Sequence, residues 1–250
     1  MQSRSRKAQI ALFLIVAGVV FLAAALVMVR PKPIPVAQLP LYSPSVISET
    51  ATYCLKEVSE AVIRIVALQG GYWKPPQPSA DAVYFTTPYF LKNQKVAVPP
   101  VSILERSAAE GVDELLPSCI IKTNHSIQYF GLPHSLVTIT EKAVAVQTTF
   151  PLVLRSQGRT MSQEQFAVTT LLPLLEALTT SNEILKLQTK EGSLIPVSEI
   201  MLLLDKKDGL FFPMYIDSNH YVYAFYIKKG TVVLPFAFGV EIPEVKTGEA

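Results

Sequence analysis

The spacing of apolar residues changes character along this chain, and each change predicts a different element. Residues 10–29, IALFLIVAGVVFLAAALVMV, form an uncharged apolar run. At ~1.5 Å rise per residue, a run of about 20 crosses a hydrocarbon core of ~30 Å, so this stretch predicts a transmembrane helix. Pro31, Pro33, Pro35, Pro40 and Pro44 follow. Prolines at that density block helix and favour extended geometry, and 30–45 reads as a stiff Pro-rich linker. Over 46–69 the period becomes helical: Ala51, Cys54, Leu55, Val58, Val62, Ile65 and Val66 share a stripe, with Lys56, Glu57, Glu60 and Arg64 facing away. Gly70 and Gly71 supply a left-handed stop. A second helix is expected over 100–116, opened by Pro100 and stopped at Pro117, with Val101, Ile103, Leu104, Ala108, Val112, Leu115 and Leu116 on one face.

Between these helices lie two short β-prone runs, 82–86 and 95–98, and after Cys119 the period shortens to two. Strands are expected over 126–130, 135–140, 143–149 and 152–155, with Glu141-Lys142 as a hairpin turn. The stretch 162–170 fits strand or helix. Helices follow over 173–190 and 196–204, then strands over 210–216, 221–227 and 231–238, separated by Asp217-Ser218-Asn219-His220 and Lys228-Lys229-Gly230. Helices, sheet, helices, sheet is an α+β order rather than alternating βαβ, with the helices packed on antiparallel β-sheet. The expected division is a basic segment 1–9, the span 10–29, the linker 30–45, a helix-rich subdomain 46–122 and an α+β subdomain 123–250.

Charge sets the orientation. Arg4, Arg6 and Lys7 precede the span and Arg30 and Lys32 follow it, so the positive-inside bias places the N-terminus in the cytoplasm and the main domain outside. A cleaved secretory signal is the rival, but its apolar region is usually shorter and ends in a small-x-small site, where this chain has Val27-Met28-Val29-Arg30-Pro31. A third reading comes from Lys7, Ala8 and Gln9, which resemble the class III signal sequences of archaeal pilins and archaellins, cut just before the helix. The competing reading of the same residues is topology charge alone. With net charge +2 and 17% charged residues, there is no basic surplus to attract nucleic acid. The partner implied by 10–29 is the lipid bilayer.

The chain has 2 cysteines, one in a predicted helix and one just after another. In a domain outside the membrane, where disulfides persist, a Cys54–Cys119 bridge is expected, worth on the order of 4 kcal/mol by loop closure. Two buried, unpaired thiols are the alternative.

The basic start, the Lys-Ala-Gln entry to the apolar helix, Cys54 in a helix that ends Gln69-Gly70-Gly71-Tyr72, and Leu116-Pro117-Ser118-Cys119 together resemble an uncharacterised group of membrane-anchored proteins of small-genome archaea, of the nanoarchaeal and woesearchaeal kind. Its motifs lie in the first half of the chain. In that group Gly is more usual where Ala8 stands, and an aliphatic residue where Trp73 stands. The resemblance implies an archaeal surface location and a paired-cysteine domain, and no activity.

Catalytic motifs are absent from the sequence: no Gly-rich phosphate loop, no Gly-x-Ser-x-Gly, no His-Glu-x-x-His and no cofactor motif. His125, His134 and His220 stand alone in or beside turns and strands. Asp205-Lys206-Lys207-Asp208-Gly209 has calcium-loop spacing but no ligand ladder and reads as a turn. Binding has more support. Tyr72, Trp73, Tyr84 and Tyr89, with Phe85 and Phe90, make a proline-punctuated aromatic zone that either lines a groove for a protein or carbohydrate partner or caps the core. Tyr215, Tyr221, Tyr223, Phe225 and Tyr226 on the terminal strands pose the same choice. Asn124-His125-Ser126 is an N-glycosylation sequon. The sequence therefore points to a single-pass, extracytoplasmic protein of structural or interaction type. The alternatives are a pilin-like subunit cut between Ala8 and Gln9, and a membrane-tethered enzyme acting on envelope polymers or peptides.

Overall fold

The computed structural model describes residues 45–82, 84–156, 159–217 and 219–243. The predicted span, most of the linker and the processing residues Lys7, Ala8 and Gln9 lie outside the described residues. Among those described, no helix is long and apolar enough to cross a membrane.

Helix α1 (Ser45–Leu68) buries Ile47, Ala51, Cys54, Leu55, Val58, Ser59, Val62, Ile63, Val66 and Ala67. The expected stripe is there but wider, and one member changes sides: Ile65 is 37% exposed, while Ile63 is buried. With 3.6 residues per turn, 58, 62 and 66 repeat on one line and 59, 63 and 67 on the next. A stripe two lines wide is what a helix needs when it packs on more than one neighbour. Gly70 and Gly71 end it with φ of +60° and +92°, and a Cβ on Gly71 would meet Leu104 Cδ1 at 2.6 Å.

Helix α2 (Val101–Thr123) runs antiparallel to α1. Cys54 joins Cys119 with Cα atoms 5.7 Å apart, and Val62 lies against Gly111. The expected stop at Pro117 is wrong, for the helix continues one and a half turns beyond it. Proline removes one i−4 hydrogen bond, but Leu116 and Ile120 on either side are buried and Cys119 is tied to α1, so tertiary contacts hold the last turns.

Strand β1 (Ser79–Asp81) and β2 (Thr86–Lys92) form a tight hairpin, closed by Ala82 N–H on Phe85 O at 2.9 Å and by Thr86 Oγ1 on Asp81 Oδ1 at 3.0 Å. Of the run expected as a strand over 82–86, Thr86 alone is strand among the described residues. Short β3 (Lys95–Val96) pairs with β2. Strands β4 (Ile127–Tyr129), β5 (His134–Ile139), β6 (Val144–Ser156) and β7 (Arg159–Thr170) make one antiparallel sheet, in which β6 pairs with β7 along one edge and with β5 and then β4 along the other. The ambiguous 162–170 is strand. Helices α3 (Leu174–Glu191) and α4 (Val197–Asp205) follow, then β8 (Leu210–Asp217), β9 (His220–Lys229) and β10 (Val232–Glu241). The second sheet has the order β1-β2-β10-β9-β8. It is mixed rather than antiparallel, since β2 and β10 run parallel.

The fold is α+β, with helices packed on sheet. Helix α1 touches α2, β7 and β10, and one buried cluster runs from Ile47 to Ile242 through both sheets. Phe90 stacks on Phe238 at 4.9 Å, and Phe211 meets Tyr223 edge-on at 5.0 Å. The buried Tyr223 hydroxyl donates to Gln188 Oε1 at 2.5 Å, and Gln188 Nε2 donates to Gly192 O and Leu194 O. Burial holds the Tyr223 phenol above its ordinary pKa.

Gly111 sets the distance between α1 and α2. A Cβ there would meet Val62 Cγ1 at 2.7 Å and Trp73 Cε3 at 2.8 Å. Gly111→Ala gains up to ~1 kcal/mol in helix propensity, but overpacking costs about 1–3 kcal/mol. The net expectation is a lower thermal midpoint by circular dichroism. A raised midpoint would show that the two helices separate freely.

Candidate functional site

A groove of about 600 Å³ lies between α2 and β5. It follows from the two periods. Along β5, Ser135, Val137 and Ile139 are buried while His134, Leu136 and Thr138 are exposed. On α2, Ser102, Glu105, Arg106, Ala109, Glu110 and Asp113 recur at helical spacing on the face towards β5. Glu105 Oε1 accepts the backbone N–H of Ile139 at 3.0 Å and fastens the start of α2 to the end of the strand. A buried hydroxyl pair, Ser135 and Thr148 at 2.7 Å, stiffens the floor. Asp113 Oδ1 is buried with no hydrogen-bond partner among the described residues. His134 and Leu136 also border a second depression of about 580 Å³ over β6 and β7. Three carboxylates, one guanidinium and an exposed leucine make an open, amphipathic trough.

At its rim the carboxylates are held by the segment after α1. Lys74 Nζ lies 3.0 Å from both Glu110 and Glu114. Trp73 Nε1 donates to Glu114 Oε2 at 3.0 Å. The hydrogen bonds from Trp73 and Lys74 push the Glu114 carboxyl below its usual pKa of 4.5, and the same pair of glutamates raises that of Lys74. These groups are exposed, and their ion pairs are weak individually.

The aromatic zone separates in space. Trp73 packs on the main core and Tyr72 is half-buried, its phenol pushed up by burial. Tyr84 is 94% exposed. Tyr89 belongs to a smaller cluster around Ala80, Val222 and Ala237. Of the terminal aromatics, Tyr223 and Phe225 are buried and Tyr215 is 65% exposed.

Of the histidines, His220 alone lies within 4.0 Å of a carboxylate oxygen among the described residues. Its Nδ1 lies 2.5 Å from Asp217 Oδ1 and its Nε2 3.7 Å from Glu241 Oε2, while the Tyr89 ring stands 5.3 Å away. Burial, and then Asp217, Glu241 and Asp81, push the Tyr89 phenol up. A carboxylate on each side of an imidazole clamps the ends of β8, β9 and β10 together. In a catalytic triad the second nitrogen faces a nucleophile, and here it faces Glu241. His125 and His134 are exposed. Among the described residues no group of three or more His, Cys, Asp or Glu is placed to hold a metal ion. The 205–209 stretch is a turn, closed by Gly209 N–H on Leu204 O at 2.9 Å.

The expected cysteine pair is at bonding geometry, with Cys54 fully buried and Thr123 Oγ1 3.3 Å from its sulfur. Asn124 follows directly, at the end of α2. The groove residues Glu105, Arg106, Glu110 and Asp113 escaped the sequence reading. Their signal was the polar stripe of α2, lying beside its apolar one. Compared with known protein families, curated proteins and solved structures, the chain matches none.

Trp73 is the chain's 1 tryptophan, so its fluorescence reports on Glu114. A depressed carboxylate stabilises its pair above the unfolded pKa and loses that contribution as pH falls through the folded one. Trp73 emission is expected to shift at a midpoint below 4.5, with unchanged far-ultraviolet circular dichroism, and the step should vanish in Glu114→Gln. A midpoint at or above 4.5 in the parent protein would contradict the pairing.

Proposed function

We propose that this chain is a single-pass membrane-anchored protein whose main domain lies outside the cytoplasm and works by binding, as a structural or interaction component of an archaeal cell surface. The observation that carries this reading is the Cys54–Cys119 pair between α1 and α2, with Cys54 in the core. Such a bond persists in an oxidising compartment, and the run 10–29 with Arg4, Arg6 and Lys7 before it provides the anchor and its orientation. The trough between α2 and β5 is the binding face. Its carboxylates favour a protein segment bearing Lys or Arg over an acidic glycan.

The test is intact mass of the full chain from its native membrane, without reduction, with and without thiol alkylation, beside whole-cell labelling with a membrane-impermeant amine reagent. The expected result is a mass that keeps residues 1–8, cysteines that alkylate only after reduction, and labelled Lys228 and Lys229. Loss of residues 1–8 would replace this reading with a pilin-like subunit. Thiols that alkylate without reduction, together with lysines labelled only after lysis, would overturn the external location.

A further inference from the structure

Asn93, Asn182 and Asn219 lack a Ser or Thr two residues on, and Asn124 has Ser126. The structure gives this tripeptide a defined setting. Asn124 caps α2 in extended geometry, φ −148° and ψ 100°. Its backbone N–H donates to Ile120 O at 2.9 Å, and its carbonyl accepts from Ile127 N–H at 3.2 Å. Its side-chain Oδ1 accepts the N–H of Ser126 at 3.0 Å. That bond fixes which end of the amide is oxygen. It leaves Nδ2 as the one polar group of Asn124 with no protein partner among the described residues. His125 and Ser126 are exposed. Behind them the last turns of α2 are fastened by Cys119, so the turn is presented on a fixed base. Asn182, by contrast, lies within α3 with its side chain on Leu178 O at 3.4 Å.

We propose that Asn124 is an N-glycan acceptor, modified by an oligosaccharide from a lipid-linked donor. The inference rests on the external location proposed above. In the transfer, Nδ2 forms a bond to the anomeric carbon of the donor sugar as the bond from that carbon to the donor phosphate oxygen breaks. The phosphate leaves with the electron pair, and one amide proton passes to a base of the transferase. The Ser126 N–H on Oδ1 draws charge from the amide and eases that proton's loss. The bulky, solvated product then stands on the surface beside the disulfide.

The experiment is mass mapping of the chymotryptic peptides that contain Asn124, from the full chain prepared from native membranes of cells labelled with the impermeant amine reagent. An added saccharide mass that fragments to Asn124 is expected, lost completely in Asn124→Gln and in Ser126→Ala and kept in Ser126→Thr, which also controls for folding. An unmodified peptide from a preparation whose Lys228 and Lys229 are labelled on intact cells would overturn the acceptor and leave the location standing. An unmodified peptide with those lysines labelled only after lysis would overturn both. A saccharide that survives Asn124→Gln would place the modification elsewhere and overturn the assignment.

Discussion

Helix α1 buries two adjacent lines of its surface at once, and the rest of the structure is arranged around that constraint. Its buried positions form two adjacent lines from Ile47 to Ala67, wide enough to meet α2, β7 and β10 together. A helix with one apolar line can leave its partner and still be solvated on the remainder. This one cannot, because removing any neighbour would expose several aliphatic side chains, each worth about 1.5–3 kcal/mol when fully buried. The two sheets are therefore coupled through a single helix. Close approach follows from the same demand: Gly111 and Gly71 stand where a Cβ would strike Val62 Cγ1 at 2.7 Å and Leu104 Cδ1 at 2.6 Å.

The elements legible in the sequence were those whose cause is local. Helix α1, the hairpin at Glu141-Lys142, the turn at Gly230, which begins after Lys228 and Lys229 have finished β9, and the left-handed Gly70-Gly71 each follow from a period or a φ preference within a few residues. What the sequence concealed was settled at a distance. Pro117 breaks an isolated helix, yet here the following turn is held by Ile120 in the core and by Cys119 on α1. The parallel pairing of β2 with β10 joins Tyr89 to Gly239, and no local pattern announces a contact across that much chain. The exchange of Ile65 for Ile63 has the same origin, since periodicity gives the direction of a stripe but its width depends on how many neighbours it serves.

The same division runs through the candidate site. Aromatic residues clustered in sequence suggested one surface, but the β1–β2 hairpin carries Tyr84 and Tyr89 onto one sheet while Trp73 stays against α2, with its indole on Glu114. Trp73 and Tyr89 then each serve a local packing need, while Tyr84 is exposed. The trough between α2 and β5 arose from polar residues that drew no notice because a helix in water needs a polar face anyway. Only the arrival of β5 beside Glu105, Glu110 and Asp113 turns a solvated face into a wall.

The disulfide connects this packing to location. Chain entropy makes a 65-residue separation worth about 4 kcal/mol, a contribution available only where thiols are oxidised. It acts between the two helices that approach closely at Gly111, and it secures the stretch of α2 that Pro117 weakens. A domain that relied on this bond for a flawed helix would be poorly served by a reducing cytoplasm. In the proposed arrangement the flaw and its remedy belong to the same compartment, because the chain reaches oxidising surroundings as soon as residues beyond the span have crossed the membrane. The helix end secured in this way also carries Asn124, so the bond that completes the fold fixes the turn proposed to receive a glycan.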